Sequence, residues 1–174
     1  MKKLVLLFSA IGMIALQSCE GPAGPPGPPG NPGVNIEAQV YEVTRSFNQG
    51  NGFSQLITFN TPMFASDVVL VYILWDVDGN TPIWRLMPQT VQWDEGDFIY
   101  NFDFTRFDVR LFMTSADFPL NILGPQWTNN QTFRIVLVPG YFGNNLRVNY
   151  NDYEAVMNMI GKTEADVRPI ESRQ

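Results

Sequence analysis

No histidine occurs anywhere in this chain, and Cys19 is its only cysteine. The commonest general base, proton shuttle and transition-metal ligand is therefore missing. Ser-His-Asp and Cys-His catalysis are excluded in their usual forms, as are zinc and iron–sulfur sites of Cys/His type. Neither GxxxxGK[ST] nor a strand-GxGxxG-helix unit is present, so the common phosphate-cradling loops are absent too. Acid–base chemistry is left to carboxylates. A glycoside hydrolase needs two of them, held a fixed distance apart across a cleft. The sets on offer are Asp76 with Asp78, and Asp94, Glu95 and Asp97. Both fall at turns, where Asp and Gly serve the backbone. Asp76-Val77-Asp78-Gly79-Asn80 also places alternating oxygens before a glycine, as a calcium loop does, but the later bidentate glutamate is missing. The chain reads as non-enzymatic, with no cofactor and no metal site expected.

Aromatic residues offer a different chemistry. Trp75, Trp84, Trp93 and Trp127 could form a sugar-stacking platform. The first three lie in strand patterns and read as core or cross-strand packing. Trp127 sits in the polar loop Gly124-Pro125-Gln126-Trp127-Thr128-Asn129-Asn130, and Tyr141 and Phe142 sit in Gly140-Tyr141-Phe142-Gly143-Asn144-Asn145. Trp127, Tyr141 and Phe142 are thus the loop residues able to meet a protein or glycan ligand, or else to fold back over the core.

Cys19 has a specific context. Lys2 and Lys3 precede Leu4 to Leu16, a nearly continuous apolar run of thirteen residues. A membrane-spanning helix needs about 20, so the run fits the h-region of a secretory signal. With Ser18 before Cys19 and Leu16 three positions upstream, the site resembles a bacterial lipobox, although Gln17 is bulkier than usual there. Residues 1–18 are read as a signal peptide. Cys19 is read as the lipid attachment that anchors the chain to the cell envelope, with the outer membrane as the expected site. One acyl chain holds weakly, whereas two or three anchor stably.

Glycine then recurs at Gly21, Gly24, Gly27, Gly30 and Gly33 within GPAGPPGPPGNPG. Proline sets the polyproline II angle, and only glycine fits the axis of a collagen triple helix. Two readings compete for residues 19–33. One is a homotrimer wound through Gly21–Gly33. The other, favoured because four triplets are few, is a single-chain spacer reaching about 40 Å at ~3.1 Å per residue.

Residues 34–174 are long enough for one domain with its own core. Phe98, Tyr100, Phe102 and Phe104 alternate with Asp97, Ile99, Asn101, Asp103 and Thr105, the pattern of a half-buried antiparallel strand. Phe107, Val109, Leu111 and Met113 repeat it against Arg106, Asp108 and Arg110, which with Asp103 make a charge ladder on the solvated face. Val68 to Trp75 is continuously apolar, as central strands are, and Phe133 to Val138 reads as a similar core strand. Residues 36–47 and 53–60 supply the first two strands. A type I′ turn at Asp78-Gly79 would set Trp75 opposite Pro82 and Ile73 opposite Trp84, and Pro82 marks an edge strand. A four-residue loop over Asp94–Asp97 would set Trp93 opposite Phe98 and Val91 opposite Tyr100. Finally, Asp152 is placed to cap a short helix carrying Tyr153, Val156, Met157 and Ile160, closed by Gly161. The expected fold is mainly β: an antiparallel β-sandwich of immunoglobulin-like or jelly-roll type with one short C-terminal helix.

The lipobox, the Gly-Pro-Xaa run, the Tyr-Asn-Phe-Asp-Phe strand (100–104) and the Phe-Arg-Ile-Val-Leu-Val-Pro-Gly strand (133–140) together resemble a group of collagen-like lipoproteins of Bacteroidota. That resemblance implies location and architecture and brings no activity with it. Removal of the leader leaves nine basic and seventeen acidic residues, a net charge of −8. Nucleic acid is thus an unfavourable partner. The expected role is a non-enzymatic binding, adhesion or structural module. A glycan-binding accessory protein is the alternative, and a carboxylate-based glycoside hydrolase the third reading.

Overall fold

A computed structural model describes residues 37–144 and 148–170. The leader, Cys19 and the Gly-Xaa-Yaa run lie outside the described residues. Those described form nine strands: β1 (Gln39–Arg45), β2 (Ser54–Thr58), β3 (Val68–Asp78), β4 (Thr81–Leu86), β5 (Gln89–Trp93), β6 (Gly96–Phe104), β7 (Asp108–Ser115), β8 (Gln131–Val138) and β9 (Val167–Pro169). Two short helices, α1 (Pro125–Thr128) and α2 (Tyr153–Met159), accompany them.

The strands make a β-sandwich. One sheet has the order β4-β3-β8-β1-β9 and the other β2-β7-β6-β5. All pairings are antiparallel except the short β1–β9 contact. β1 pairs with β8 in one sheet and β2 with β7 in the other, so early and late strands meet in both sheets.

Burial explains the two sequence patterns. The middles of β3 and β8 are apolar on both faces, Arg134 excepted, because both faces of their sheet are covered. Val69, Val71, Ile73, Phe133, Ile135 and Leu137 face the second sheet. Leu70, Tyr72, Val136 and Val138 face outward and are covered by Tyr153, Val156, Met157 and Ile160 of the α2 segment. The molecule is therefore layered sheet, sheet, helix. The second sheet is buried on one face alone, through Ile57, Val91, Phe98, Tyr100, Val109, Leu111 and Met113, and so it alternates. Fully burying each such side chain contributes about 1.5–3 kcal/mol. The alternation outruns the cover at its ends, because Phe104 and Phe107 lie exposed.

Both hairpins differ in register from the sequence expectation. Asp78 pairs with Thr81 and Val77 with Pro82, so the turn residues are Gly79 and Asn80, and a bulge at Trp75 brings Leu74 opposite Trp84. Gly79 alone takes a positive φ there, +62°, which a type II′ turn requires and a type I′ turn does not satisfy. β4 does lie at a sheet edge. In the second hairpin Trp93 pairs with Gly96 and Val91 with Phe98, giving a two-residue loop, Asp94-Glu95. A slip of two residues keeps every side chain on its face, so the apolar match could not separate these registers. Gly96 fixes the observed one: its φ is +127°, and a Cβ there would lie 2.4 Å from Asp117. The Asp117 carboxylate accepts from the Asp97 N–H at 2.8 Å.

Helix α2 begins and ends as its sequence dictates. The Asp152 carboxylate accepts from the Ala155 N–H at 3.0 Å. At the other end Gly161, with φ +66°, closes a Schellman motif: Lys162 N–H donates to Met157 C=O at 2.9 Å and Gly161 N–H to Asn158 C=O at 3.1 Å.

Candidate functional site

β8 contains one charged residue, Arg134, within an otherwise apolar run. It is 6% exposed. An isolated guanidinium would be costly at that depth, and a tolerated one must be paired and hydrogen-bonded. Its Nε donates to Glu42 Oε2 at 3.0 Å, and Glu42 is its cross-strand partner on β1. Its Nη1 donates to the Tyr153 hydroxyl at 2.6 Å and to Glu164 Oε1 at 2.5 Å, and Nη2 donates to Glu164 Oε2 at 2.6 Å. The Trp84 ring centroid lies 4.4 Å from the guanidinium carbon. Glu164 thus grips the fork with both oxygens while Trp84 covers its face.

Each partner reaches this point for a local reason. Glu42 points outward because β1 alternates, with Tyr41 and Val43 facing inward. Tyr153 is the first residue of α2, held there by the Asp152 cap. Glu164 follows the Schellman turn and opens a single helical turn over residues 164–166. Thr163 and Asp166 cap that turn reciprocally, with Asp166 Oδ2 accepting from the Thr163 N–H at 2.9 Å. Burial pulls the Arg134 pKa down, but its hydrogen bonds to Glu164, the interaction with Tyr153 and the bond to Glu42 outweigh it, so its pKa rises and the charge is held. Burial pushes the Tyr153 phenol up to about 12, with Arg134 opposing.

Beside this network lies a cleft of about 480 Å³, lined by Asn80, Pro82, Trp84, Asn151, Asp152, Tyr153, Glu154 and Glu164. It lies between the β3–β4 hairpin and the start of α2. Two of its three carboxylates are already engaged, Asp152 in the helix cap and Glu164 on Arg134. The two aromatic rings, two amides and acidic rim suit hydrogen-bond recognition of a polar ligand. The Trp84 indole N–H is buried and has no partner.

The residues singled out in the sequence do not converge. Cys19 lies outside the described residues. Trp127, on α1, packs against Phe98 with ring centroids 5.4 Å apart, and its carbonyl accepts from the Tyr100 hydroxyl at 2.5 Å. It folds back over the core. Tyr141 is exposed, and its ring centroid lies 4.3 Å from that of the half-buried Phe142. The tryptophans form no common platform. Trp75, Trp93 and Trp127 pack on the core between the sheets, and Trp84 packs on the opposite face of its sheet under α2. Of the charge ladder, Arg110 pairs with Asp103, while Arg106 donates to the Met63 carbonyl at 2.8 Å and Asp108 accepts from Thr105. Asp76 accepts from the Val77 N–H at 2.8 Å. Among the described residues, no group of three or more Asp, Glu, His or Cys could hold a metal ion. No known family model, curated protein or solved structure matches this chain.

Arg134 is not among the site residues expected from the sequence. Its signal was available: a single arginine inside Phe133-Arg134-Ile135-Val136-Leu137-Val138 must find carboxylate partners if the run is a central strand.

Proposed function

We propose that this chain is a lipoprotein fixed to the cell envelope through Cys19, presenting a non-enzymatic β-sandwich as a binding, adhesion or structural module. The supporting observation is the order of its parts. A lipobox ending at Cys19 is followed by GPAGPPGPPGNPG and then by one β-sandwich. The lipid supplies the membrane attachment that a net charge of −8 does not. The Arg134 cluster supports the non-enzymatic part of the reading, because its buried charge is fully committed to Glu42, Tyr153 and Glu164.

The test is fractionation of cells producing the full chain, wild type and Cys19→Ser, grown with labelled fatty acid. The wild type is expected to carry label and sediment with membranes. Cys19→Ser is expected to be unlabelled and to lose membrane attachment. An unlabelled wild type, or a Cys19→Ser chain that stays in membranes, overturns the reading.

One observation favours glycan binding as the module's activity. The cleft combines Trp84 and Tyr153 with Asn80 and Asn151, the aromatic-plus-amide lining that a polyhydroxylated ligand uses. Affinity electrophoresis against soluble polysaccharides, with Asn80→Ala and Asn151→Ala as comparisons, tests it. Retardation of the wild type that both substitutions weaken supports it, and no retardation on any polysaccharide removes it.

A further inference from the structure

One end of the sandwich is apolar in a way its core does not require. The pairs Gln39–Leu137, Val68–Val138, Thr58–Asp108 and Phe104–Val109 place the start of β1, β3 and β7 and the end of β2, β6 and β8 at this end. The loop over residues 59–67 crosses it. Phe59 N–H donates to Phe107 C=O and Met63 N–H to Arg106 C=O, both at 2.8 Å. On the far side, Gly140 N–H donates to the Asp67 carboxylate at 3.3 Å. On this tied surface Phe64, Phe104 and Phe107 are 47, 46 and 56% exposed, beside the exposed Val68. They are the three exposed phenylalanines among the described residues. The Phe104 ring stacks on half-buried Phe102, so the patch continues outward from the core. Single exposed apolar residues need no explanation, but three phenylalanines exposed at one end of a domain make that end a candidate interaction surface.

Sequence connectivity points to what covers it. Glu37, the first described residue, sits at this end beside β1, and Gly33 precedes it by four residues, at most about 14 Å of chain. The run ending at Gly33 has the composition of a strand in a three-chain helix. Three chains joined there bring three copies of this one end to a common axis. We infer that Phe64, Phe104 and Phe107 form the contact among three copies of this domain. The inference rests on the stem and this surface, and it stands or falls independently of lipid on Cys19 or of the cleft.

The test is thiol cross-linking of the full chain in its own membranes with a short bismaleimide. Ala65→Cys places a thiol beside Phe64, Asn121→Cys places one at the opposite end, and the parent chain controls for Cys19. Ala65→Cys is expected to cross-link into dimers, at most two of every three chains, while Asn121→Cys stays monomeric. The detergent-solubilised chain is expected to have a native protein mass of three chains. Adding Phe107→Ser, and then Phe64→Ser with it, is expected to reduce cross-linking to the Asn121→Cys level with circular dichroism unchanged. Because Phe107 is more than half exposed, the single substitution keeps the test valid if the double variant unfolds. Cross-linking no greater than at Asn121→Cys, cross-linking unchanged by Phe107→Ser, or a native mass of one or two chains would each overturn the inference.

Discussion

Consider replacing either side of the ion cluster on β8. The Arg134 side chain is 7% exposed, while those of Glu42 and Glu164 are 37% and 64% exposed. Removing the carboxylate charges with Glu42→Gln and Glu164→Gln leaves a buried guanidinium uncompensated, which costs about 3–5 kcal/mol. Removing the arginine with Arg134→Met deletes the buried charge and fills its space, and both carboxylates recover water through their exposed sides. That leaves the four lost hydrogen bonds, partly replaced by solvent, for a net cost of about 1–2 kcal/mol. Arg134→Met should therefore be the milder change, although it removes the residue at the centre. The combination of all three should cost no more than Arg134→Met alone. Equilibrium urea unfolding followed by tryptophan fluorescence measures each, and urea avoids the screening that guanidinium chloride would add. If Arg134→Met proves as damaging as the double glutamine variant, or the double variant lies within about 1 kcal/mol of wild type, the cluster is not held by charge compensation as argued.

Further substitutions test other parts of the account. Tyr100→Phe removes the donor to the Trp127 carbonyl and should destabilise the domain by about 1–3 kcal/mol by urea unfolding, with Trp127 fluorescence altered because α1 loses its hydrogen bond to β6 and keeps the packing on Phe98. Gly96→Ala should cost more than Gly79→Ala, since both residues have positive φ but only Gly96 faces a neighbour within 4 Å. Their unfolding midpoints make the comparison. Alkaline pH should unfold the domain. Burial raises the folded pKa of Tyr72, Tyr100 and Tyr153 above the ordinary 10, Tyr153 to about 12. The unfolded chain releases those protons first, so the stability they carry is present below pH 10 and is lost as pH rises towards 12. Tyrosinate absorbance and circular dichroism should change together across that range.

Much of the architecture was legible in local pattern. Phe98 and Tyr100 are buried while Asp97, Ile99 and Asn101, which flank them, are not, because one face of their sheet meets water. Residues 69–73 and 133–138 do not alternate because a helix covers their second face. The cap at Asp152 and the stop at Gly161 rest on backbone chemistry that any reader of the sequence can apply. Register was harder. Sliding the β5–β6 hairpin by two residues leaves the apolar match intact, and the contact that decides it, Gly96 against Asp117, joins residues twenty-one apart. Trp127 looked free because its loop has no period, yet its ring rests on Phe98 and its carbonyl on Tyr100, neither of which is near it in sequence. The candidate site was the least legible part. Arg134 announces a need for carboxylates, but nothing nearby in the chain reveals that Glu42 on β1 and Glu164 beyond α2 meet it.

The most direct test of the central proposal is the intact mass of the protein isolated from the membranes of its producing cell. The account predicts a chain that begins at Cys19 and carries the added mass of at least two acyl groups. A chain that retains residues 1–18, or one that begins at Cys19 with an unmodified thiol, would contradict it.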